Sequence, residues 1–291
     1  MGSRFLLTVL WLVHWLPLSW QSLLGRAVGA IAWALAGSRR RIALRNLEMC
    51  LPEKTEAERL AIAREHFGWV GRSLLERGLL WYASPERLKR LIHVEGEVGL
   101  ADATKRPVMW LVPHFLALDV AGAAVQLNIA RPGASIYQAQ SDPVFDAAMR
   151  RGRLRFGNAK IFARDETARP LMRAIRDGAG FFNLPDMDFG ERDAAFVPFF
   201  GVPAATLLAP SRMARALNMT VQPVVGEMLD GGGGFRVRFL PPLKDFPTDD
   251  PVADTLRINH WIEEEVRRNP AQYLWVHKRF KTRPAGEPGF Y

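Results

Sequence analysis

The tightest constraint on the fold is Val108-Met-Trp-Leu-Val112, an uncharged apolar run closed by Pro113. So short and bulky a run, β-branched at both ends, reads as a strand buried on both faces. Residues 115–125 follow with Leu116, Ala117, Val120, Ala121, Ala124 and Val125 at helical spacing. The same alternation continues along the chain. Residues 92–95, 134–140, 180–184, 220–225 and 235–240 read as strands, and residues 85–91, 143–155, 170–176, 206–217 and 251–269 as helices. Thr55-Glu-Ala-Glu58 has the spacing of a capping box and opens an apolar stripe through Leu60, Ala63, Phe67, Leu75 and Leu79. Strands alternating with helices predict an α/β fold: a central mixed, largely parallel β-sheet flanked by helices. Gly231, Gly232, Gly233 and Gly234 lie between two strand-like runs. They lack the Lys-Ser/Thr and the helix of a phosphate loop, so they read as a hairpin turn.

The N-terminus has a different character. Residues 5–36 carry one formal charge, Arg26, and are followed by Arg39, Arg40, Arg41 and Arg45. This predicts an N-terminal apolar membrane-anchoring helical segment, residues 1–36, ahead of a catalytic domain, residues 37–291. The stretch is long enough to cross a bilayer of about 30 Å, although Pro17 and Arg26 suit a shallow, re-entrant or interfacial anchor equally well. Trp11, Trp15, Trp20 and Pro17 make a poor core for a cleaved signal peptide. Arginines just past the apolar run predict that the catalytic domain lies on the cytoplasmic side of the membrane. With 39 Lys+Arg against 30 Asp+Glu, the net charge of +9 points to a polyanionic partner: nucleic acid, an anionic membrane or a phosphorylated substrate. The single Cys50 excludes an internal disulfide and a cysteine-rich metal site, and beside Leu51 and Pro52 it reads as inert packing.

The chemistry is expected where the first buried strand gives way to its helix. His114 stands there, with Asp119 five positions on. Positions i and i+5 lie roughly 140° apart on a helix, so Asp119 reaches the imidazole only if His114 occupies the preceding turn and curls back. Asp119 would then fix the tautomer and leave the other ring nitrogen as a general base. A bare H-x-x-x-x-D also fits a histidine that satisfies a carbonyl beside a surface charge. Arg150, Arg151, Arg153 and Arg155 gather near a helix end, either as forks for phosphate or as a solvated basic face. Asp186 and Asp188 follow the strand at residues 180–184. They suit orienting a substrate hydroxyl or capping the loop, and without a His or third carboxylate at ligand spacing no metal is expected. Residues 196–206 read as an apolar loop into a helix, lining an acyl pocket or simply filling core. The tail from Tyr273 to Pro284 mixes aromatics with cations, which suits a membrane interface or nucleic acid. No basic helix-turn-helix, zinc or RNA-binding aromatic signature is present to support a membrane-tethered nucleic-acid-binding protein.

Taken together these residues resemble the late (secondary) acyltransferases of lipid A biosynthesis, the lauroyl/myristoyl type within the lysophospholipid acyltransferase superfamily. The resemblance covers nearly the whole chain. It rests on Arg45-Asn-Leu47, Pro113-His-Phe115 with Asp119, Pro185-Asp-Met-Asp-Phe-Gly190, Phe196-Val-Pro-Phe-Phe-Gly-Val-Pro-Ala-Ala205 and the closing aromatic-basic segment. Met187 stands where members often carry Gln. The resemblance implies lipopolysaccharide biosynthesis at the cell inner membrane by transfer of a fatty acyl group from an acyl carrier protein thioester to a hydroxyl of a phosphorylated lipid A precursor. His114 would be the base, Asp119 its orienting partner, and Arg150 and Arg153 contacts to acceptor phosphates, with no metal or organic cofactor. A glycerophospholipid or other glycolipid acyltransferase of the same superfamily is the nearest alternative.

Overall fold

The structure, a computed structural model, describes residues 2–157, 159–164 and 168–291. The chain opens with α1 (Gly2–Val13), α2 (Leu18–Leu35), α3 (Gly37–Cys50), α4 (Glu56–Tyr82) and α5 (Pro85–Leu91). Then come β1 (Ile92–Gly96), α6 (Leu100–Ala103), β2 (Val108–Leu111), α7 (Leu118–Asn128), β3 (Gly133–Tyr137), α8 (Pro143–Arg153) and β4 (Lys160–Ala163). The second half comprises α9 (Arg169–Arg176), β5 (Gly180–Asn183), β6 (Ala194–Phe199), β7 (Val202–Leu207), α10 (Ala209–Ala216), β8 (Thr220–Met228), β9 (Phe235–Phe239) and α11 (Pro251–Arg268).

Among the described residues seven strands form one sheet in the order β1-β9-β8-β2-β5-β3-β4. Only β8 and β9 run antiparallel, joined through the glycine-rich turn, and every other pair is parallel. The expected α/β architecture is therefore present. Alternation along β2 divides the core. Val108, Trp110 and Val112 point into a layer roofed by α4, α5, α7 and α8, whereas Met109 and Leu111 point into one covered by α3, α9, α10 and α11. Both faces of β2 are buried, as the centre of a parallel sheet requires.

Residues 196–206 differ from the expected loop. They form the β6–β7 hairpin, whose two strands pair only with each other and set Pro198 opposite Pro203. Proline lacks the N–H that a central strand must donate, and a two-stranded ribbon consists only of edges, so both prolines are tolerated.

The N-terminal run is two helices, not one. The chain turns at Pro17, where Arg87 donates to the Leu16 carbonyl at 2.7 Å. At about 1.5 Å per residue, α1 and α2 span roughly 18 and 27 Å, each short of the hydrocarbon thickness of about 30 Å. No helix among the described residues is long and apolar enough to cross a membrane. Instead α2 packs on α4 with its backbone almost in contact. A Cβ on Gly29 would fall 2.1 Å from the Phe67 carbonyl oxygen, and one on Gly71 would fall 2.1 Å from that of Gly25. Outward faces of α1 and α2 leave Phe5, Trp20 and Leu35 more than half exposed, with Leu35 at 80%, and Trp15 in the turn between them is exposed as well.

Candidate active site

The site lies at the carboxyl end of the sheet, where ligands gather in open α/β folds. Strands β2 and β5 are parallel neighbours with Leu111 opposite Asn183. Three residues past each of these positions stand His114 and Asp186, so the two side chains leave the sheet together at the same height. The Asp186 carboxylate takes both donors that His114 offers. Oδ2 accepts the backbone N–H at 2.9 Å and Oδ1 lies 2.7 Å from Nδ1. A carboxylate only accepts, so Nδ1 carries the hydrogen, and in the neutral ring Nε2 is then the nitrogen with the lone pair. Asp186 is 1% exposed and His114 8%. Burial alone would disfavour the Asp186 anion, but its electrostatic interaction with His114 and the two His114 hydrogen bonds outweigh it and hold the carboxyl below its usual range.

Asp119 is not the partner of the imidazole. His114 does occupy the turn before α7, as the spacing requires, yet its ring is directed to Asp186. Asp119 is instead engaged by two guanidinium groups: Arg153 Nε at 2.8 Å from Oδ1 and Arg77 at 3.5 Å from Oδ2. Burial opposes its ionisation, but Arg153 and then Arg77 dominate and hold this carboxyl low as well. The His114 charge is also felt there, so Asp119 stands at the edge of the same site.

The four arginines of residues 150–155 do not converge. Arg150 donates to the Tyr137 hydroxyl and lies 5.0 Å from its ring, Arg155 donates to the Leu80 carbonyl at 3.0 Å, and Arg151 is exposed. Only Arg153 reaches the site. Asp188 is a brace. It accepts the Thr282 N–H at 2.7 Å, the Thr282 hydroxyl at 2.8 Å and the Gly190 N–H at 2.9 Å, tying the loop after β5 to the C-terminal tail. Its buried carboxylate is thus committed to loop and tail donors rather than to a substrate hydroxyl. Among the described residues no three His, Cys, Asp or Glu side chains group as metal ligands.

The tail completes the site. Leu274 N–H donates to the His114 carbonyl at 3.0 Å and Leu116 N–H to that of Gln272 at 2.9 Å, clamping the histidine turn from both sides. Ser73 of α4 adds a hydroxyl on the Leu116 carbonyl at 2.9 Å. Tyr273, His277 and Arg279 line a small pocket, about 280 Å³ with the open space at its mouth, together with His114 and Asp186. His277 is pushed down to about 4 by burial, reinforced by His114 and Arg279, so it is neutral near pH 7. Burial pushes the neighbouring Cys50 thiol well up, leaving it a packing residue. A much larger cavity, about 790 Å³ with its mouth, runs over β3, β4 and β5 and reaches Asp119 and Arg153 without touching the imidazole.

A buried histidine with one nitrogen fixed and the other available, beside a large apolar cavity, is what an O-acyl transfer needs. The family described as bacterial lipid A biosynthesis acyltransferase matches residues 2–282. The chain belongs to this family. It is 34% identical over 286 residues to the lipid A biosynthesis lauroyltransferase of Escherichia coli K12, covering 97% of this chain and 92% of the relative. The palmitoleoyltransferase of the same strain is 32% identical over 290 residues, covering 99% and 93%. Its myristoyltransferase is 32% identical over 263 residues, covering 89% and 80%. As a lipid A acyltransferase the protein is an enzyme, and its signature residues fall on the elements just described. Sequence reasoning missed Arg77, which lies mid-helix among ordinary charged residues, and it missed the pairing of His114 with Asp186. The tail was marked by its aromatic-cation mix, but not as the clamp on the histidine turn.

Proposed function

We propose that the protein moves a fatty acyl group from an acyl carrier protein thioester to a hydroxyl of a phosphorylated lipid A precursor. The observation that carries this reading is the His114 imidazole, its Nδ1–H held on Asp186 and its Nε2 left to take a proton. Nε2 removes the acceptor hydroxyl proton as the oxygen attacks the thioester carbonyl. The carbonyl oxygen gains negative charge beside the positive opening turn of α7. The tetrahedral adduct collapses, the C–S bond breaks, and the departing thiolate recovers the proton from the imidazolium. The thioester is already activated, so no acyl-enzyme is needed. The relatives' names, which specify lauroyl, palmitoleoyl and myristoyl groups, support a fatty acyl group as the cargo.

Two surface features support a site at the cytoplasmic face of the inner membrane. Exposed Trp and Leu side chains on α1 and α2 suit an interfacial anchor, residues 1–36, for a catalytic body of residues 37–291. Arg39, Arg40, Arg41 and Arg45 follow it and suit anionic headgroups and an acidic carrier protein. The position of Arg153 at the rim of the large cavity supports it as the contact to an acceptor phosphate.

The test is His114→Ala, assayed by mass spectrometry with carrier-protein thioester and lipid A precursor. Loss of a general base is expected to lower transfer by about 10²- to 10⁴-fold, with the circular dichroism spectrum and vesicle binding of the wild type. Wild-type transfer by this variant would refute the assignment.

A further inference from the structure

The large cavity has a direction. Helix α7 starts at the carboxyl end of the sheet and descends, and β3 then rises from Gly133, so Asp119 marks one end and Gly133 the other. Between Asp119 and Gln126 the helix descends about 10 Å, and from Gly133 to Tyr137 the strand rises about 13 Å. Both Asp119 and Gln126 line the cavity, as do Gly133 and Tyr137, so it runs the length of the strands. Its walls are Trp81, Trp110, Leu118, Ile161, Phe182 and Leu184. Of its charged lining residues, Asp119 and Arg153 sit at the upper mouth beside the histidine turn, and the exposed Lys160 stands at the far end. Beside Lys160 at the far end the lining is small: Gly133 and Ala159.

This shape results from side chains left out. A Cβ on Gly180 would fall 2.4 Å from the Trp110 ring, and one on Gly152 would fall 2.1 Å from the Trp81 ring. Only glycine lets each indole lie flat as a wall. At Gly133 the situation is reversed. An added Cβ would meet only Ala159 Cβ, at 3.8 Å, an ordinary contact. Gly133, Ser135 and Tyr137 share one face of β3, the face on which the cavity sits. Gly133 therefore holds open space that a side chain could fill without moving the backbone.

We propose that this cavity takes the hydrocarbon tail of the acyl donor, and that Gly133 and Ala159 set the longest chain accepted. The inference rests on the acyltransferase reading above. An apolar-walled cavity that runs along the strands fits a hydrocarbon chain whose carbonyl stays near His114 while its methyl end descends to Gly133.

The experiment is a series of saturated carrier-protein thioesters, each two carbons longer than the last, with Gly133→Val and Ser135→Val. The isopropyl group added by Gly133→Val would displace about two methylenes, each worth about 0.8 kcal/mol when buried. The ratio of kcat/KM for the longest good donor to that for the next shorter one is therefore expected to fall roughly tenfold in this variant. Ser135 lies nearer the mouth, so Ser135→Val is expected to move the cut-off to a still shorter donor. It also carries the test if Gly133→Val does not fold. Unchanged ratios in both variants, with an active wild type, would overturn the proposal and leave the acyltransferase reading standing. A cut-off that moved with the acceptor's chains would do the same, because the cavity would then hold the acceptor. If the wild type transferred from no thioester, the acyltransferase reading would fail, and calorimetric binding of free saturated fatty acids would decide the cavity alone. A binding cut-off shortened by Gly133→Val would support the assignment, and no binding at any length would overturn it.

Discussion

Replacing Asp186 by Asn separates the two carboxylates that compete for the role of imidazole partner. In the wild type both Asp186 oxygens accept from His114, one from the main chain at 2.9 Å and one from Nδ1 at 2.7 Å. An amide has a single accepting oxygen. If that oxygen keeps the backbone N–H, the amide nitrogen faces Nδ1 and donates to it. The ring hydrogen then moves to Nε2, the nitrogen proposed to take the acceptor's proton. If the oxygen turns to Nδ1 instead, a buried main-chain N–H is left without a partner at a cost of about 1–3 kcal/mol. Either outcome damages the base. A wrong tautomer at a triad histidine costs about 10⁴-fold in turnover, so kcat is expected to fall by roughly 10³- to 10⁴-fold with little change in KM. Asp119→Asn is the comparator. Asp119 holds Arg153 and Arg77 rather than the ring, so its loss is expected to act mainly on KM. Both variants would be compared under single-turnover conditions with carrier-protein thioester and lipid A precursor. Full turnover by Asp186→Asn, with collapse of kcat in Asp119→Asn, would refute the pairing and restore Asp119 as the orienting carboxylate.

Two further outcomes follow from charged groups elsewhere. Arg153→Ala is expected to raise the acceptor KM by about tenfold, the worth of one charge-assisted contact, and to leave the donor KM nearly as it was; unchanged acceptor saturation would remove the phosphate role. His66 is fully buried on α4, and burial pushes it down to about 4, partly offset by its hydrogen bond with the Ala271 carbonyl at 3.0 Å. Between about pH 4 and 6.5 the unfolded chain therefore binds a proton that the folded chain refuses. Stability rises with pH through that window and is lost as the pH falls, by up to about 3 kcal/mol from this residue. Urea midpoints across the window should flatten in His66→Gln relative to wild type, and an identical slope would show that His66 does not titrate as its burial requires.

Much of the fold was readable because local signals agreed with one another. The capping box forms as spaced, with Thr55 Oγ1 accepting the Glu58 N–H and Glu58 accepting the Thr55 N–H. The buried run at β2 is a central strand, and the glycine-rich segment is the β8–β9 turn. What escaped was decided by tertiary partners. Strand β4 is four residues with a lysine at its head and no alternation to mark it. The two prolines of β6 and β7 look like loop chemistry until the ribbon is seen to have only edges. The apolar character of residues 5–36 left a span and an interfacial anchor equally open, and what it did not reveal is that Gly25, Gly29 and Gly71 dock α2 onto α4 through their missing side chains.

The histidine was legible and its carboxylate was not, for one topological reason. Asp119 is five residues from His114 and Asp186 is seventy-two, so proximity along the chain favours the wrong acid. Strand β2 is followed in sequence by β3, but β5 inserts between them in the sheet. That insertion sets Leu111 beside Asn183, and both strands leave the sheet in the same direction. Each motif could be recognised alone: a Pro-His after one buried strand, a Pro-Asp after another. Their meeting depends on strand order, which neither segment encodes by itself. A parallel sheet thus brings His114 and Asp186 together from two ordinary strand ends, and Asp119, apart from the ring, holds the arginines at the mouth of the cavity.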